Sequence, residues 1–140
     1  MHKYKIYTCI MPVLAVYLCN TKTNEREVDA MVKVGIIGAT GYAGAELVRL
    51  LTQHKQAEIL WYGSKSYIDQ RYADIYRNMF QIVDAKCMDD NMEALAEAVD
   101  VIFTATPQGF CASLLNEKIL SKVKIIDLSA DFRLKDVSVY

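Results

Sequence analysis

The chain turns at Gly38-Ala39-Thr40-Gly41-Tyr42-Ala43-Gly44, directly after the apolar run Val32–Ile37 and before an amphipathic run at residues 46–51. A strand that breaks at glycine and restarts as a helix leaves backbone N–H groups unpaired at the helix start, where the helix dipole adds partial positive charge. Glycine also lets a phosphate approach the backbone closely. The stretch therefore predicts a phosphate-binding turn that holds a dinucleotide.

The spacing of these glycines is G-x-x-G-x-x-G, one residue longer than the G-x-G-x-x-G dinucleotide fingerprint. Glycines mark many loops, so the alternative interpretation is an ordinary strand–turn–helix connection without a ligand. The position of the motif, after a β-branched strand pattern and before a helix, favours the dinucleotide.

The composition indicates one globular domain. The chain has 140 residues, of which 53% are hydrophobic, and a net charge of −1, which argues against a nucleic-acid surface. Four cysteines occur, and none belongs to a C-x-x-C pair: Cys9, Cys19, Cys87 and Cys111. We therefore predict no metal site and expect reduced thiols in a cytoplasmic protein.

The first thirty residues have a different character from the rest. The apolar run at residues 6–19 is too short for a transmembrane helix, and it resembles the h-region of a signal peptide without a cleavage site after it. Residues 20–30 are polar, and Met31 directly precedes the first strand pattern. We expect residues 1–30 to be an appended segment outside the fold, with no membrane association, and residues 31–140 to form the dinucleotide-binding domain.

From residue 32 onward, strand and helix patterns alternate. Strands are predicted at 32–37, 58–62, 80–87, 101–105 and 123–128, and helices at 42–54, 92–99 and 110–120, with a long loop and one helical turn at 63–78. Such alternation is typical of parallel strands joined by right-handed crossovers. The predicted fold is α/β, a doubly wound parallel sheet of Rossmann type with strand order 3-2-1-4-5.

Ligands of such sheets bind outside the carboxyl ends of the strands, where the strand order reverses. At the end of the second predicted strand stand Ser64, Lys65 and Ser66, whereas Glu58 lies at its start. A hydroxyl beside a cation suits the 2′-phosphate of NADP, and a carboxylate there would favour NAD. NADP is therefore favoured over NAD, although Lys65 also fits a solvated loop lysine.

One further segment is not explained by periodicity. The string Asp127-Leu128-Ser129-Ala130-Asp131-Phe132-Arg133-Leu134-Lys135-Asp136 resembles a hallmark of the N-acetyl-gamma-glutamyl-phosphate reductases of arginine biosynthesis, and residues 32–51 are similar to the start of that family. The glycine stretch alone is shared with aspartate-semialdehyde dehydrogenases and extended short-chain reductases. The Leu-Ser-Ala-Asp-Phe-Arg string is far more discriminating, and the resemblance covers about residues 32–140.

The resemblance implies an oxidoreductase that reduces N-acetyl-glutamyl 5-phosphate, an acyl phosphate, to N-acetyl-glutamate 5-semialdehyde with NADPH. A cysteine thiolate would form a thioester that hydride then reduces. The family also implies a homo-oligomer with a catalytic α+β domain. Carried onto this chain, the pyrophosphate residues are Gly38, Thr40, Gly41, Tyr42, Ala43 and Gly44; Ser64 and Lys65 meet the adenosine ribose phosphate, Thr106 and Pro107 the nicotinamide side, and Ser129, Asp131 and Arg133 the substrate cleft.

The chain departs from the family where catalysis would begin. No Gly-Cys-Tyr-Pro string for the nucleophile is present. Cys111 stands at a helix start, but a small cysteine with apolar neighbours is more often packing. We therefore predict no catalytic residue and expect the chain, truncated before the catalytic domain, to be inactive alone. The alternatives are an aspartate-semialdehyde dehydrogenase fragment and a non-catalytic dinucleotide-binding module; for Asp131 and Arg133 the alternative is a structural ion pair.

Overall fold

A parallel sheet forms the centre of the molecule. The computed structural model of the chain describes residues 6–8 and 31–132. The strands are β1 (Ile6–Thr8), β2 (Val32–Ile37), β3 (Ala57–Tyr62), β4 (Val101–Thr104) and β5 (Lys124–Asp127). They lie in the order β1-β5-β4-β2-β3, and every pair is parallel. The strand order reverses between β2 and β4, as the predicted doubly wound fold requires.

Short helices connect the strands. They are α1 (Tyr42–Thr52), α2 (Tyr72–Ile75), α3 (Met92–Ala98), α4 (Phe110–Leu114) and α5 (Glu117–Lys122), with a 3₁₀ turn at Arg77–Met79. The prediction of a single helix at 110–120 is therefore wrong, because the helix ends at Leu114 and a second helix begins at Glu117. Asn116 begins the second helix, since its side chain accepts a hydrogen bond from the Ile119 N–H at 2.9 Å.

Two hydrophobic clusters cover the two faces of the sheet. On one face Leu47, Val48 and Leu51 of α1 pack with residues of β2 and β4. On the other face Leu95 of α3 and Ile119 of α5 pack with alternate residues of the same strands. All four residues of β4 are buried, as expected for a strand with helices on both sides.

The strand predicted at 80–87 is wrong. These residues form no strand; Lys86 makes an isolated bridge with Arg71, and Met88 makes one with Gly63. Gln81 has a φ of 62°, which is incompatible with an extended strand. Ile82 stays 59% exposed while Val83 and Cys87 are buried, so the apolar residues serve a compact turn under α2.

The N-terminal expectation needs a correction for three residues. Ile6–Thr8 form β1, which pairs in parallel with β5 at the edge of the sheet, so they belong to the fold. Edge pairing satisfies the backbone groups that β5 would otherwise present to solvent. Residues 1–5, 9–30 and 133–140 lie outside the described part of the chain, and Arg133 is among them. Among the described helices, none has the length and apolarity needed to cross a membrane.

Candidate dinucleotide site

The glycine-rich turn connects the end of β2 to the start of α1. Gly38 has a φ of 75°, in the left-handed region that favours glycine, and its carbonyl accepts a hydrogen bond from the Gly41 N–H at 3.0 Å. Gly41 is the N-cap of α1, no side chain caps the helix, and its first turn carries no acidic residue. The N–H groups at the start of α1 are therefore left for an anion.

Two glycines of the turn are required by close backbone packing. A Cβ on Gly44 would lie 2.1 Å from the Gly38 carbonyl oxygen, and a Cβ on Gly38 would lie 2.5 Å from the Ala105 carbonyl oxygen. The same Cβ on Gly38 would lie 3.4 Å from the Thr106 methyl group. The loops that follow β2 and β4 thus meet at the point where the strand order reverses.

Two tyrosine hydroxyls bind the turn from behind. Tyr72 of α2 donates to the Ala39 carbonyl at 3.0 Å, and Tyr76 donates to the Thr40 carbonyl at 2.8 Å. These contacts were missed in the sequence, because tyrosines in a segment without periodicity carry no signal of what they reach. Their presence shows that the turn is held by side chains far along the chain.

The residues predicted on the adenosine side lie next to the turn. The hydroxyls of Thr40 and Ser64 are 2.8 Å apart and share a hydrogen bond, and Ser64 is buried. Lys65 is exposed, with its Nζ 3.8 Å from the centroid of the Phe110 ring. The ammonium therefore reaches across towards α4, in a cation–π contact that a bound phosphate would compete with.

Asp90 is an acidic residue near the turn that the sequence prediction missed. Its Oδ1 atom is buried without a hydrogen-bond partner, and a Cβ on Gly63 would lie 2.7 Å from that atom. Burial raises the pKa of Asp90, while Lys65 and the Gly38 N–H oppose the rise. Asp90 lies in the loop before α3, far along the chain from β3, so nothing in the sequence indicates that it lies near the turn.

The loop after β4 supplies a second unpaired polar atom. Thr106 Oγ1 is buried without a hydrogen-bond partner beside Gly38. Pro107 is exposed, and its carbonyl accepts from the Phe110 N–H at 3.3 Å. An orphaned hydroxyl, an uncapped helix start and glycines that leave no room for a side chain fit a dinucleotide with its pyrophosphate on α1.

Two of the residues predicted on the substrate side, Ser129 and Asp131, join Asp127 in a network of hydrogen bonds to protein groups. Asp127 is fully buried and accepts from Thr104 Oγ1 at 2.7 Å and from Ser129 Oγ at 2.6 Å. The Asp131 carboxylate accepts from the Gly109 N–H at 2.6 Å and the Ala112 N–H at 3.2 Å, which caps the start of α4. These backbone donors lower the pKa of Asp131, opposed by a smaller effect of burial.

The two described cysteines are buried thiols. Burial raises the pKa of the Cys111 thiol to about 11, and it also raises the pKa of Cys87. Thr104 Oγ1 lies 3.4 Å from Cys111 Sγ. Because a nucleophilic cysteine needs a lowered pKa and access to solvent, this environment fits packing.

Comparisons with known proteins bear on the family and the fold of the chain. The family model described as "Semialdehyde dehydrogenase, NAD binding domain" matches residues 33–140. An N-acetyl-gamma-glutamyl-phosphate reductase of Lachnospira eligens is 80% identical over 110 residues, which are 79% of this chain and 32% of that protein. A protein of the same name from Lachnoclostridium phytofermentans is 71% identical over 110 residues, which are again 79% of this chain and 32% of that protein. The chain thus spans about a third of the length of the curated relatives it matches.

Among solved structures, an aspartate semialdehyde dehydrogenase with NADP from Candida albicans superposes with a TM-score of 0.60 at 19% identity. The match covers 76% of this chain and 32% of that one, and it supports the fold. The resemblance to N-acetyl-gamma-glutamyl-phosphate reductases, first indicated by the Leu-Ser-Ala-Asp-Phe-Arg string, is confirmed by the curated relatives. The chain belongs to the semialdehyde dehydrogenase family, of which residues 33–140 are the NAD-binding domain.

Proposed function

We propose that this chain is the cofactor-binding part of an NADP-dependent N-acetyl-gamma-glutamyl-phosphate reductase. The observation that carries the proposal is the start of α1, which has a glycine N-cap, no side-chain cap and no acidic residue in its first turn. The pyrophosphate would lie on the N–H groups of Tyr42, Ala43 and Gly44. Thr106, whose buried hydroxyl has no partner, would bind on the nicotinamide side with Pro107.

The preference for NADP rests on charge at the carboxyl end of β3. Lys65 follows the strand there, whereas Glu58 lies at its opposite end, paired in register with Lys33 of β2. A 2′-phosphate would draw the Lys65 ammonium away from the Phe110 ring, because a phosphate binds a cation more strongly than an aromatic face does.

The proposed reaction is the reduction of N-acetyl-glutamyl 5-phosphate to the 5-semialdehyde. It is supported by the names of relatives that are 80% and 71% identical. NADPH supplies the hydride when it is bound. The chain's own residues bind and orient the cofactor, and neither described cysteine acts as the nucleophile because both are buried with raised pKa values.

The remaining parts of the proposal follow from the same relatives. We infer an acyl phosphate as the small-molecule substrate, a homo-oligomer for the full-length enzyme and a cytoplasmic location, where the reduced cofactor is available. Ser129 and Asp131 would lie on the substrate side without touching substrate, because their polar atoms bind protein groups. Their role would be to hold the loop before α4 in place.

Calorimetric titration of the 140-residue chain tests the proposal. NADPH should bind with measurable heat and at least about tenfold more tightly than NADH, and Lys65→Ala should weaken NADPH binding about tenfold, roughly 1.4 kcal/mol, with little effect on NADH. Lys55→Ala, at an exposed position after α1, is the matched control. Equal affinities would overturn the NADP assignment, and no binding of either coenzyme would overturn the dinucleotide site itself.

A turnover assay tests the inferred inactivity of the chain. The purified chain mixed with NADPH and N-acetyl-glutamyl 5-phosphate should oxidise no NADPH above the rate without protein. Steady oxidation would show that a nucleophile resides within these residues.

A further inference from the structure

We propose that Tyr72 and Tyr76 are positioning residues for the phosphate-binding turn, whose hydroxyls fix two consecutive peptide groups so that the Thr40 N–H points at the pyrophosphate. This inference rests on the proposed function, since it assigns a role in the same site. Neither residue contacts the reacting atoms; both act through the backbone of the turn.

In a trans peptide, the carbonyl of one residue and the N–H of the next point in opposite directions across the planar peptide group. Tyr72 donates to the Ala39 carbonyl at 3.0 Å, so the Thr40 N–H points away from α2. Within the described residues no acceptor pairs with that N–H.

The second hydroxyl fixes the next peptide group. Tyr76 donates to the Thr40 carbonyl at 2.8 Å, and the Gly41 N–H of that peptide donates to the Gly38 carbonyl at 3.0 Å. The peptide group between Thr40 and Gly41 is therefore hydrogen-bonded at both its carbonyl and its N–H. The peptide group between Ala39 and Thr40 is hydrogen-bonded at its carbonyl alone. The free donor of the pair is the Thr40 N–H, next to the uncapped start of α1.

The tyrosines themselves are rigidly placed. Tyr72 is fully buried, with its ring centroid 5.3 Å from that of Tyr62 and 5.4 Å from that of Tyr76. The Tyr72 N–H donates to the Ala85 carbonyl at 2.9 Å, which ties α2 to the compact turn behind it. Burial raises the pKa of both Tyr72 and Tyr76, so both hydroxyls stay protonated and able to donate well above neutral pH.

The test removes only the hydroxyls. Tyr72→Phe, Tyr76→Phe and the double variant are compared with the unchanged chain for the Kd of NADPH and for that of 2′-AMP, which lacks the pyrophosphate. We expect each single change to raise the NADPH Kd about fivefold, because the turn must then be ordered when the cofactor binds, with a larger rise in the double variant. The Kd of 2′-AMP should not change. Tyr67→Phe, at a partly exposed tyrosine in the preceding loop, is the control.

The outcomes separate this inference from the proposed function. If the unchanged chain fails to bind NADPH, the proposed function is at fault. If it binds and the double variant binds equally well, or loses NADPH and 2′-AMP to the same degree, the positioning role is overturned. Thermal melting reports whether each variant folds; should Tyr72→Phe not fold, the half-buried Tyr76 decides the question by itself.

Discussion

The glycine-rich turn and the segment at residues 127–131 both follow a strand of the same sheet, yet they treat their polar groups in opposite ways. In the turn, the Ala39 and Thr40 carbonyls accept hydrogen bonds from the Tyr72 and Tyr76 hydroxyls. The N–H groups at the start of α1 stay available to a ligand. In the second segment the polar atoms are already paired, because Asp127 and Asp131 accept hydrogen bonds from protein donors.

This difference distinguishes a segment that binds a ligand from a segment whose polar residues hold the protein's own loops together. Unpaired donors at a helix start are costly unless a ligand or water meets them, so they indicate binding. Acceptors that are already filled indicate that the residues hold two loops together. On this basis we expect the turn to bind the cofactor and the 127–131 segment to keep α4 and the loop before it in place.

The largest expected effect breaks the turn itself. Gly44→Ala would place a Cβ 2.1 Å from the Gly38 carbonyl oxygen, so α1 must move away from β2. We expect the free energy of unfolding to fall by about 3 kcal/mol or more, measured by urea denaturation. Gly41→Ala is the matched control, because its Cβ would lie 3.4 Å from the same oxygen at a φ of −79°. Equal stability of the two variants would contradict the close packing of the turn.

Next in size is the removal of the buried carboxylate. Asp127→Ala leaves the Thr104 and Ser129 hydroxyls without their acceptor inside the protein. The free energy of unfolding should fall by about 3 kcal/mol, while Ser129→Ala should cost about 1 kcal/mol, because it removes one donor to the carboxylate and the acceptor of the Asp131 N–H. If Asp127→Ala instead leaves stability unchanged and abolishes NADPH binding, the segment is part of the binding site and the contrast between the two regions fails.

A smaller, pH-dependent effect is expected at Asp131. Its pKa is lowered by the Gly109 and Ala112 N–H groups, so its contribution to stability is present above its ordinary pKa of about 4 and is lost as the pH falls through the lowered value. Asp131→Asn should lower the melting temperature at pH 7. The gap to the unchanged chain should close below about pH 4. A gap that persists undiminished at pH 2 would argue against the carboxylate as the capping group.

The last prediction concerns the Cys111 thiol, which lies beside Thr104, and it requires no substitution. Because the pKa of Cys111 is raised to about 11, iodoacetamide at pH 8 should alkylate it at least about a hundredfold more slowly in the folded chain than in urea. Mass spectrometry of the peptide that contains Cys111 measures the rate. Rapid alkylation of the folded chain would show an accessible thiolate and would reopen the question of a nucleophile on α4.

The order of strands β2 to β5 and its reversal between β2 and β4 were predictable from the sequence, whereas the strand predicted at 80–87 is absent and β1 was not predicted. The turn at residues 38–44 and the alternation of strand and helix patterns fix parallel pairing, and the reversal of strand order then selects the loops at Gly38, Ser64 and Thr106. The structure places these three loops together. These features depend on local chemistry and on general rules of chain connection, which a sequence states directly.

Contacts between distant segments were not predictable in the same way. The apolar residues at 80–87 indicate a strand by composition, but Gln81 adopts a positive φ and the segment packs as a turn under α2. Tyr72, Tyr76 and Asp90 reach the turn from 33, 36 and 52 residues along the chain, and nothing in their neighbours specifies a target. Likewise, nothing near Asp131 in the sequence indicates that its carboxylate accepts from the Gly109 and Ala112 N–H groups.

The most direct test of the contrast is a titration of ¹⁵N-labelled chain with NADPH, followed by the amide shifts of both regions in one experiment. We expect large, saturable shifts for the N–H groups of Thr40, Tyr42, Ala43 and Gly44, and small shifts across residues 127–131. Shifts concentrated in 127–131, with the turn unmoved, would contradict this expectation.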